Sequence, residues 1–254
     1  MIWILLLKIF ILSSSSHLEP RQLAMSPVEN QVNTYTLGNQ SHPAVSGLED
    51  GGFVVAWDGE GPNGIESDIY AQLFHSNGAS RGTQFRVNTY TIGNQSYPAI
   101  AKISDGFVIV YHGQATPDDP CDILAQMFYL NGTARGSEIL VSSSQASGPC
   151  EQYPSVAGLN DGGFVVVWQG EEDITNPQLD IYARVYNPNG TAQASHFRVN
   201  SYTEGTQKNS AVSAMANGSL IIIWQEETLT GATEIYTRLY LVKLRLLQIF
   251  QLLF

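Results

Sequence analysis

The chain has 254 residues, and 43% of them are hydrophobic, which is enough to form the core of one large all-β domain or two small ones. Its formal net charge is −11, so the phosphate backbone of nucleic acid and an anionic membrane surface would both repel it. The composition therefore predicts that nucleic acid is not a partner, and it favours divalent cations or cationic partners.

Residues 1–16 have the pattern of a signal peptide. An apolar stretch from Met1 to Leu12 is followed by four serines, and it is shorter than the roughly 20 residues that span a bilayer. We therefore expect a secreted protein or one on the extracellular cell surface, with no integral membrane span. Lys8 interrupts the stretch and no cation precedes it, so a start codon placed inside a longer gene is the alternative.

The rest of the chain is repetitive. The motif Asp-Gly-Gly-Phe-Val-Val-x-Trp begins at Asp50 and returns, with substitutions, at Asp105, Asp161 and Asn217. The large apolar residue that follows its glycines recurs at spacings of 54, 57 and 56 residues. Self-similarity at a fixed period is the signature of a repeat architecture, so the sequence predicts about four copies of one unit.

Each unit is predicted to contain four antiparallel strands. In the first unit strand A runs from Pro43 to Leu48, strand B from Phe53 to Trp57, strand C from Asp68 to Phe74 and strand D from Gln84 to Asn88. Strand B is apolar on both faces, so it must be covered on both sides. Two-residue hairpin turns are expected at Asp50-Gly51, Asn77-Gly78, Asp161-Gly162 and Asn189-Gly190.

Four-stranded meanders repeated at this period are typical of β-propeller blades. We therefore predict an all-β fold, a β-propeller of about four repeats that can be part of a longer array, with β-sandwich repeats as the alternative. The repeat domain spans residues 28–240, with units at about 43–88, 98–142, 154–200 and 210–240. Residues 241–254 form a hydrophobic tail that breaks the repeat.

The two ends of the repeat region are out of phase with whole units. The first recognisable piece, Val32 to Ser41, matches the end of a strand D and the connection after it, and the last unit has no strand D. The first piece could complete the last blade and close a ring of four, because a closed sheet leaves no exposed edge. The other interpretation is a piece of a longer array.

The repeat resembles one found in large secreted or surface proteins of bacteria and protists. The resemblance rests on Val-Asn-Thr-Tyr-Thr-x-Gly-Asn-Gln-Ser-x-Pro, on Asp-Gly-Gly-Phe-Val-Val-x-Trp and on Asp-Ile-Tyr-Ala, and it covers Val32 to about Tyr240. Such proteins often also carry cadherin-like or hemolysin-type calcium-binding modules. What the resemblance implies is an extracellular, adhesion-like role without catalytic residues.

No sequence motif of a known catalytic site is present, so we expect a protein that is not an enzyme. Residues repeated in every unit are interpreted as architectural, such as the acid at the start of strand C and most arginines. The five histidines fall at unrelated repeat positions, and His42 is taken to fill a loop site because it aligns with Tyr97 and Tyr153. The predicted function is a binding or adhesion module for a protein or glycan ligand. A structural spacer of a surface protein and a propeller glycosidase are the alternatives.

Acidic residues follow strand B in every unit. They are Asp58, Glu60, Asp118, Asp119, Glu171, Glu172, Asp173, Glu226 and Glu227. Because all B–C loops of a propeller open on one face, these acids would make that face negative, and calcium is the cofactor that they could bind. Solvated acidic loops without a ligand are the alternative, so no cofactor is certain.

Two further modifications are predicted from short motifs. Cys121 precedes strand C of the second unit, and Cys150 lies in the next D–A connection, so a disulfide between them is expected in an exported protein. Glycosylation sequons occur at Asn39, Asn94, Asn131, Asn189 and Asn217. The last three coincide with hairpin turns, where Asn-Gly is good turn chemistry, so Asn39 and Asn94 are the candidates for glycosylation.

Overall fold

The structure is a computed structural model, and it describes residues 29–61, 66–91, 93–114, 122–142, 151–171 and 178–241. The chain divides into two compact units, residues 1–31 and 32–254, and all strands belong to the second. Within the described residues, fifteen strands form four antiparallel sheets.

Each sheet is one repeat, and its strands lie in sequence order. The first blade contains β1 (Gln40–Gly47), β2 (Phe53–Glu60), β3 (Ser67–Phe74) and β4 (Ser80–Arg86). The second contains β5 (Ser96–Ile103), β6 (Gly106–Gly113), β7 (Asp122–Tyr129) and β8 (Ile139–Ser142). The third contains β9 (Gln152–Gly158), β10 (Phe164–Gly170), β11 (Asp180–Tyr186) and β12 (Phe197–Arg198), and the fourth β13 (Thr206–Ala214), β14 (Leu220–Glu227) and β15 (Thr233–Tyr240).

This arrangement is a β-propeller, so the predicted fold class is confirmed and the β-sandwich alternative is wrong. No strand is exchanged between repeats among the described residues, and the first strands of successive blades, β1, β5, β9 and β13, lie beside one another. These strands are therefore the innermost ones and surround the axis, while the short strands β4, β8 and β12 lie at the rim.

The four predicted hairpin turns are present, but they are three-residue loops rather than two-residue ones. At the first, Leu48 N donates to Gly52 O (2.8 Å) and Gly51 has a φ of 83°. The Asp50 carboxylate accepts a hydrogen bond from Gly52 N (3.0 Å). Such a loop needs one left-handed residue, which glycine supplies without strain, and this explains why a single glycine is enough in the Asn-Gly turns.

Strand B is buried on both faces, as its sequence predicts, because each blade packs between two others. We call the face that contacts the next blade the leading face and the opposite one the trailing face. Val54, Ala56 and Ile69 on the leading face of the first blade pack against Phe107 and Ile109 on the trailing face of the second, and all five are completely buried. The same packing joins the second blade to the third and the third to the fourth.

The acid that recurs at the start of strand C has an architectural role. The Asn88 carboxamide donates to Asp68 Oδ1 (2.6 Å) and accepts from the backbone N–H of Ile69 (2.8 Å). In the third blade Asn200 makes the same two bonds, to Asp180 Oδ1 (2.5 Å) and Ile181 N (2.9 Å). The acid thus orients an asparagine, and the asparagine caps a backbone donor near the start of strand C.

Removing this cap should destabilise the blade that contains it. We expect Asn200→Ala to lower the free energy of unfolding by about 1–3 kcal/mol, because it leaves the buried backbone N–H of Ile181 without its acceptor and removes one donor from the Asp180 carboxylate. The matched control is Asn33→Ala. Asn200 also donates to Tyr202 O (2.7 Å), and Asn33 makes the equivalent bond to Tyr35 O (2.7 Å) but caps no strand among the described residues. Urea unfolding would measure both, and equal effects would contradict this role for Asn200.

Candidate functional site

The innermost strands all carry the same irregularity. In each blade strand A has one residue more than its partner strand B, as where Ser41 pairs with Asp58 and Ala44 with Ala56. This bulge lies at the end of the strand that is remote from the A–B hairpin, and therefore on the propeller face that carries the B–C loops. The four bulges consequently lie around the axis at the mouth of that face.

One residue of each bulge has a left-handed backbone. These residues are His42, Tyr97, Tyr153 and Asn209, with φ angles of 46°, 54°, 52° and 56°. None is glycine, although this conformation costs a bulky residue of the order of 1–3 kcal/mol. Backbone strain that recurs at the same position of all four innermost strands, and therefore at one level of the axis, indicates a candidate functional site. We call the four residues the axial cluster.

Three side chains of the axial cluster contact one another across the blades, while that of Asn209 donates to Gln225 Oε1 of its own blade (3.1 Å). The His42 and Tyr97 rings have centroids 3.8 Å apart, and those of Tyr97 and Tyr153 are 4.6 Å apart. A hydrogen bond between the two tyrosine side chains raises the pKa of Tyr97. Tyr153 is 37% exposed and the side chain of His42 is 43% exposed, so the cluster presents aromatic and polar groups to solvent at the mouth.

Asp58, on strand B of the first blade, bonds two residues of this cluster. It is 5% exposed, and its Oδ1 atom lies 2.8 Å from His42 Nδ1 and accepts a hydrogen bond from Tyr97 N (3.1 Å). In the third blade Gln169 Oε1 accepts from Asn209 N in the same way (2.9 Å). In both blades the residue after the tryptophan of strand B accepts a hydrogen bond from the strained backbone of the next blade. In the first blade this residue is Asp58, and its carboxylate also pairs with His42.

His112 occupies the same position in the second blade, beside Tyr97 and Tyr153. Burial lowers its pKa to about 4; the Asp58 carboxylate raises it and His42 lowers it, both to a smaller extent. Its Nδ1 atom is buried and has no hydrogen-bond partner among the described residues. A neutral imidazole therefore lies in the axial region at neutral pH.

The predicted acidic loop face is corrected in part. Strands B are longer than predicted, and they include Asp58, Glu60, Glu226 and Glu227, which therefore lie in β2 and β14 rather than in loops. The longer pairing with strand C explains this, since Glu60 pairs with Ser67 and Glu227 with Thr233.

These acids also have partners of their own. Glu60 accepts from the Asn39 carboxamide (3.1 Å), Lys208 lies 2.6 Å from Glu227, and Glu226 is only 4% exposed. Glu171 follows β10, and Asp118, Asp119, Glu172 and Asp173 lie outside the described residues. No group of three metal-ligating side chains occurs in the described part of the chain, and calcium binding stays a prediction.

The structure bears unevenly on the predicted modifications. Cys121 and Cys150 lie outside the described residues, so their disulfide stays a prediction. Asn39 and Asn94 are exposed, but Asn39 donates to Glu60 and Asn94 accepts from Ser67 N (3.1 Å). The carboxamides of Asn131, Asn189 and Asn217 each accept from the backbone two residues on, which is the turn chemistry expected of them.

Sequence reasoning missed the axial cluster as a site. It aligned His42 with Tyr97 and Tyr153 but placed them in a loop, whereas they lie in the bulges of the innermost strands. The signal that could have found the cluster is the alignment itself: a variable polar or aromatic residue stands two positions after Gln40, Gln95, Glu151 and Gln207 in every repeat. Variation at one place in an otherwise regular repeat indicates a site rather than a structural residue.

Comparisons with known proteins show the fold. The chain is similar to a thermostable family-43 glycoside hydrolase, with a TM-score of 0.50, 11% identity, and coverage of 79% of this chain and 71% of the other. It is also similar to the family-93 α-L-arabinofuranosidase of Fusarium graminearum (TM-score 0.56, 10% identity, 79% and 62% covered). A third similar structure is the α-L-arabinanase of Penicillium chrysogenum (0.54, 14%, 81% and 64%).

The chain spans less than two thirds of the last two enzymes. Their fold is a five-bladed β-propeller, and the described residues of this chain supply four sheets. No model of a protein family matches the chain, and no curated protein matches it. Among the described residues, no helix has the length and apolar character needed to cross a membrane.

These comparisons contradict the expectation of a non-catalytic adhesion module or spacer, and with it the expectation that the protein is not an enzyme. The three solved structures are all glycoside hydrolases. The expectation was wrong because it searched for contiguous catalytic motifs, while the notable side chains here come from separate repeats and meet only at the axis.

The pKa of His112 predicts a loss of stability in mild acid. The folded pKa of about 4 lies below the ordinary value of 6.5, so the unfolded chain binds a proton first as the pH falls. The contribution is complete above pH 6.5 and is lost between about pH 6.5 and 4, with a total of about 3 kcal/mol. His112→Gln, which installs the residue of the third and fourth repeats, should remove this part of the pH dependence. Unfolding midpoints at pH 7 and 4.5 that differ equally in both proteins would contradict it.

The left-handed bulge predicts a reversal of the usual order of alanine and glycine. Asn209→Gly should leave a protein about 1 kcal/mol more stable than Asn209→Ala, because only glycine adopts this φ without strain. At Ser213, an exposed position of the same strand with ordinary backbone, alanine should be the more stable. Thermal unfolding of the four variants measures this, and the same order at both positions would refute strain at Asn209.

Proposed function

We propose that this protein is a propeller glycoside hydrolase whose sugar site is the axial cluster with Asp58. The observation that carries the proposal is the pair formed by Asp58 and His42: a buried carboxylate orients a half-exposed imidazole at the mouth of the axis, beside two tyrosine rings. The similarity of the fold to an arabinofuranosidase and an arabinanase supports an arabinoside or a related glycoside as the substrate class.

The chemistry of the cluster suits a sugar. Pyranose and furanose rings present both C–H faces and hydroxyl groups, so they bind aromatic faces with a few polar groups at the edge. Tyr97 and Tyr153 supply the aromatic faces, and His42, Asn209 and the two phenolic hydroxyls supply donors and acceptors. The site is shared between four repeats, so each repeat contributes one side chain of different character.

Hydrolysis of a glycosidic bond needs an acid that protonates the leaving oxygen and a base or nucleophile on the other side of the ring. His42 is placed to donate a proton to the leaving oxygen of a bound sugar, and Asp58 orients its imidazole through Nδ1. We assign Glu151 as the base that takes the proton of the water molecule attacking the other side of the ring. Glu151 is 3% exposed, it precedes Tyr153 by two residues, and it replaces the glutamine that the other three repeats carry at this position.

The test uses substitutions that the chain itself contains. Asp58→Gln and Glu151→Gln install residues found at the same position of other repeats, so each should keep the architecture, and Gln169 shows that glutamine can hold the strained backbone of the next blade. Each should lower the rate of hydrolysis by about 100-fold or more, which is the usual contribution of an acid or base. His42→Gln should have an effect of similar size.

The measurement is the release of sugar from arabinan, from an aryl arabinofuranoside and from a sialoside. The control is Asp161→Asn, in a hairpin turn at the opposite end of the blade, where asparagine can still accept from Gly163 N; it should leave the rate unchanged. Absence of turnover of any glycoside by a folded protein would contradict the proposal, and so would full activity in all three variants.

A further inference from the structure

The two ends of the propeller expose faces that are buried between all the other blades. Blades one, two and three cover their leading faces with the next blade, whereas the fourth blade has no successor in the described part of the chain. Ile235 of the fourth blade is 74% exposed, while the equivalent Ile69, Ile123 and Ile181 are completely buried. Ile223 and Leu239, on the same face, are 41% and 50% exposed.

The first blade has the complementary defect on its trailing face. Phe53 and Val55 are partly exposed, while the equivalent residues of the second and third blades are completely buried. Val45, opposite Val55 on β1, is 68% exposed. A cavity of about 170 Å³ lies on this face beside Val55 and Trp57. Strands β1 and β13, at the two ends of the series, form no interface like those of β1 with β5, β5 with β9 or β9 with β13 among the described residues.

The backbone beside each exposed face indicates which strands would fit between the two faces. The outer edge of β15 has no strand D within the described residues. At the other end, Thr34 bonds Gln84 of the first blade (2.6 Å from N, 2.8 Å from Oγ1) as Thr89 bonds Glu138 of the second. The segment before β1 therefore lies where the strand D end of a preceding blade would lie.

Asn33, which lies in this segment, makes only part of a contact that recurs in the other blades. Its equivalents Asn88 and Asn200 cap a backbone N–H near the start of a strand C and bind the acid that precedes this N–H. Asn33 keeps the local bond to Tyr35 O, but no strand C is present beside it among the described residues. A repeat that fits between the two faces would therefore begin with a strand D that pairs with β15 and end with a strand C that Asn33 caps.

We propose that the fourth and first blades bind one further repeat of the same kind, with strands in the order D, A, B, C, between them. Its trailing face carries an aromatic, a β-branched and an aromatic residue on strand B, as in Phe107, Ile109 and Tyr111, and covers the leading face of the fourth blade. Its strand C covers the first blade and receives the cap of Asn33. Its own bulge adds a fifth residue to the axial cluster, between Asn209 and His42.

We infer a repeat as the occupant because each exposed face matches one side of an interface that this chain already forms three times. A flat apolar partner would not satisfy the open edge of β15 or the Asn33 carboxamide. A ring of five repeats also agrees with the blade number of the similar solved structures. This inference does not depend on catalysis at the axis.

The probe is the polypeptide Ser80–Tyr129 of this chain, which contains a repeat in the required order of strands. Added to the full chain, it should form a one-to-one complex in native mass spectrometry, raise the thermal midpoint of the full chain and gain β structure in circular dichroism. Ile235→Lys and Val45→Lys in the full chain should each weaken binding by more than about tenfold, because a lysine would be buried against an apolar face.

The matched control is Leu140→Lys, a change of the same kind at the rim, where Leu140 is 44% exposed on β8; it should leave binding unchanged. Failure of the polypeptide to bind would overturn the proposal, as would binding that is insensitive to both face variants. Concentration-dependent association of the full chain that Ile235→Lys abolishes, without binding of the polypeptide, would also overturn it, because the occupant would then be a second copy.

Discussion

Each innermost strand must accommodate one residue more than its neighbour, and the axial region depends on how that residue is held. The bulge forces a left-handed backbone on His42, Tyr97, Tyr153 and Asn209. An acceptor from the preceding blade compensates for part of this strain, through Asp58 at Tyr97 N and Gln169 at Asn209 N. The strained residues are thus held by bonds between blades, and the side chains of His42, Tyr97 and Tyr153 contact one another at the mouth of the axis.

The contrast between recurring and unique residues separates architecture from the candidate site. The strand C cap, the hairpin loops and the large aromatic residue of strand B recur because the blades share the same packing. At the axis the repeats differ: the residue after the tryptophan is aspartate or glutamine, and the second blade has Tyr111 followed by His112. A carboxylate paired with a histidine occurs only in the first blade among the described residues, and this asymmetry allows a symmetric scaffold to hold a site with distinct chemical roles.

Much of the fold could be predicted from the sequence, because the repeat period and the double apolar face of strand B leave few other architectures. The Asp-Gly and Asn-Gly turns were also predictable, although their loop length was not, since it depends on the register of the flanking strands. The site was not predictable in the same way. Asp58 was assigned to a loop because the polar residues of this segment do not indicate the pairing with strand C that extends β2 to Glu60. His42 looked incidental because its partners lie in other repeats.

The central claim is that a sugar binds at the axial cluster rather than at the rim or in the outer loops. The most direct measurement is a crystal structure of the Asp58→Gln protein with arabinobiose, the disaccharide bound in two of the similar solved structures. The account predicts a sugar ring stacked on Tyr97 or Tyr153, with a hydroxyl or the glycosidic oxygen within hydrogen-bond distance of His42. A sugar bound away from the axis, with the axial cluster occupied by water alone, would contradict it.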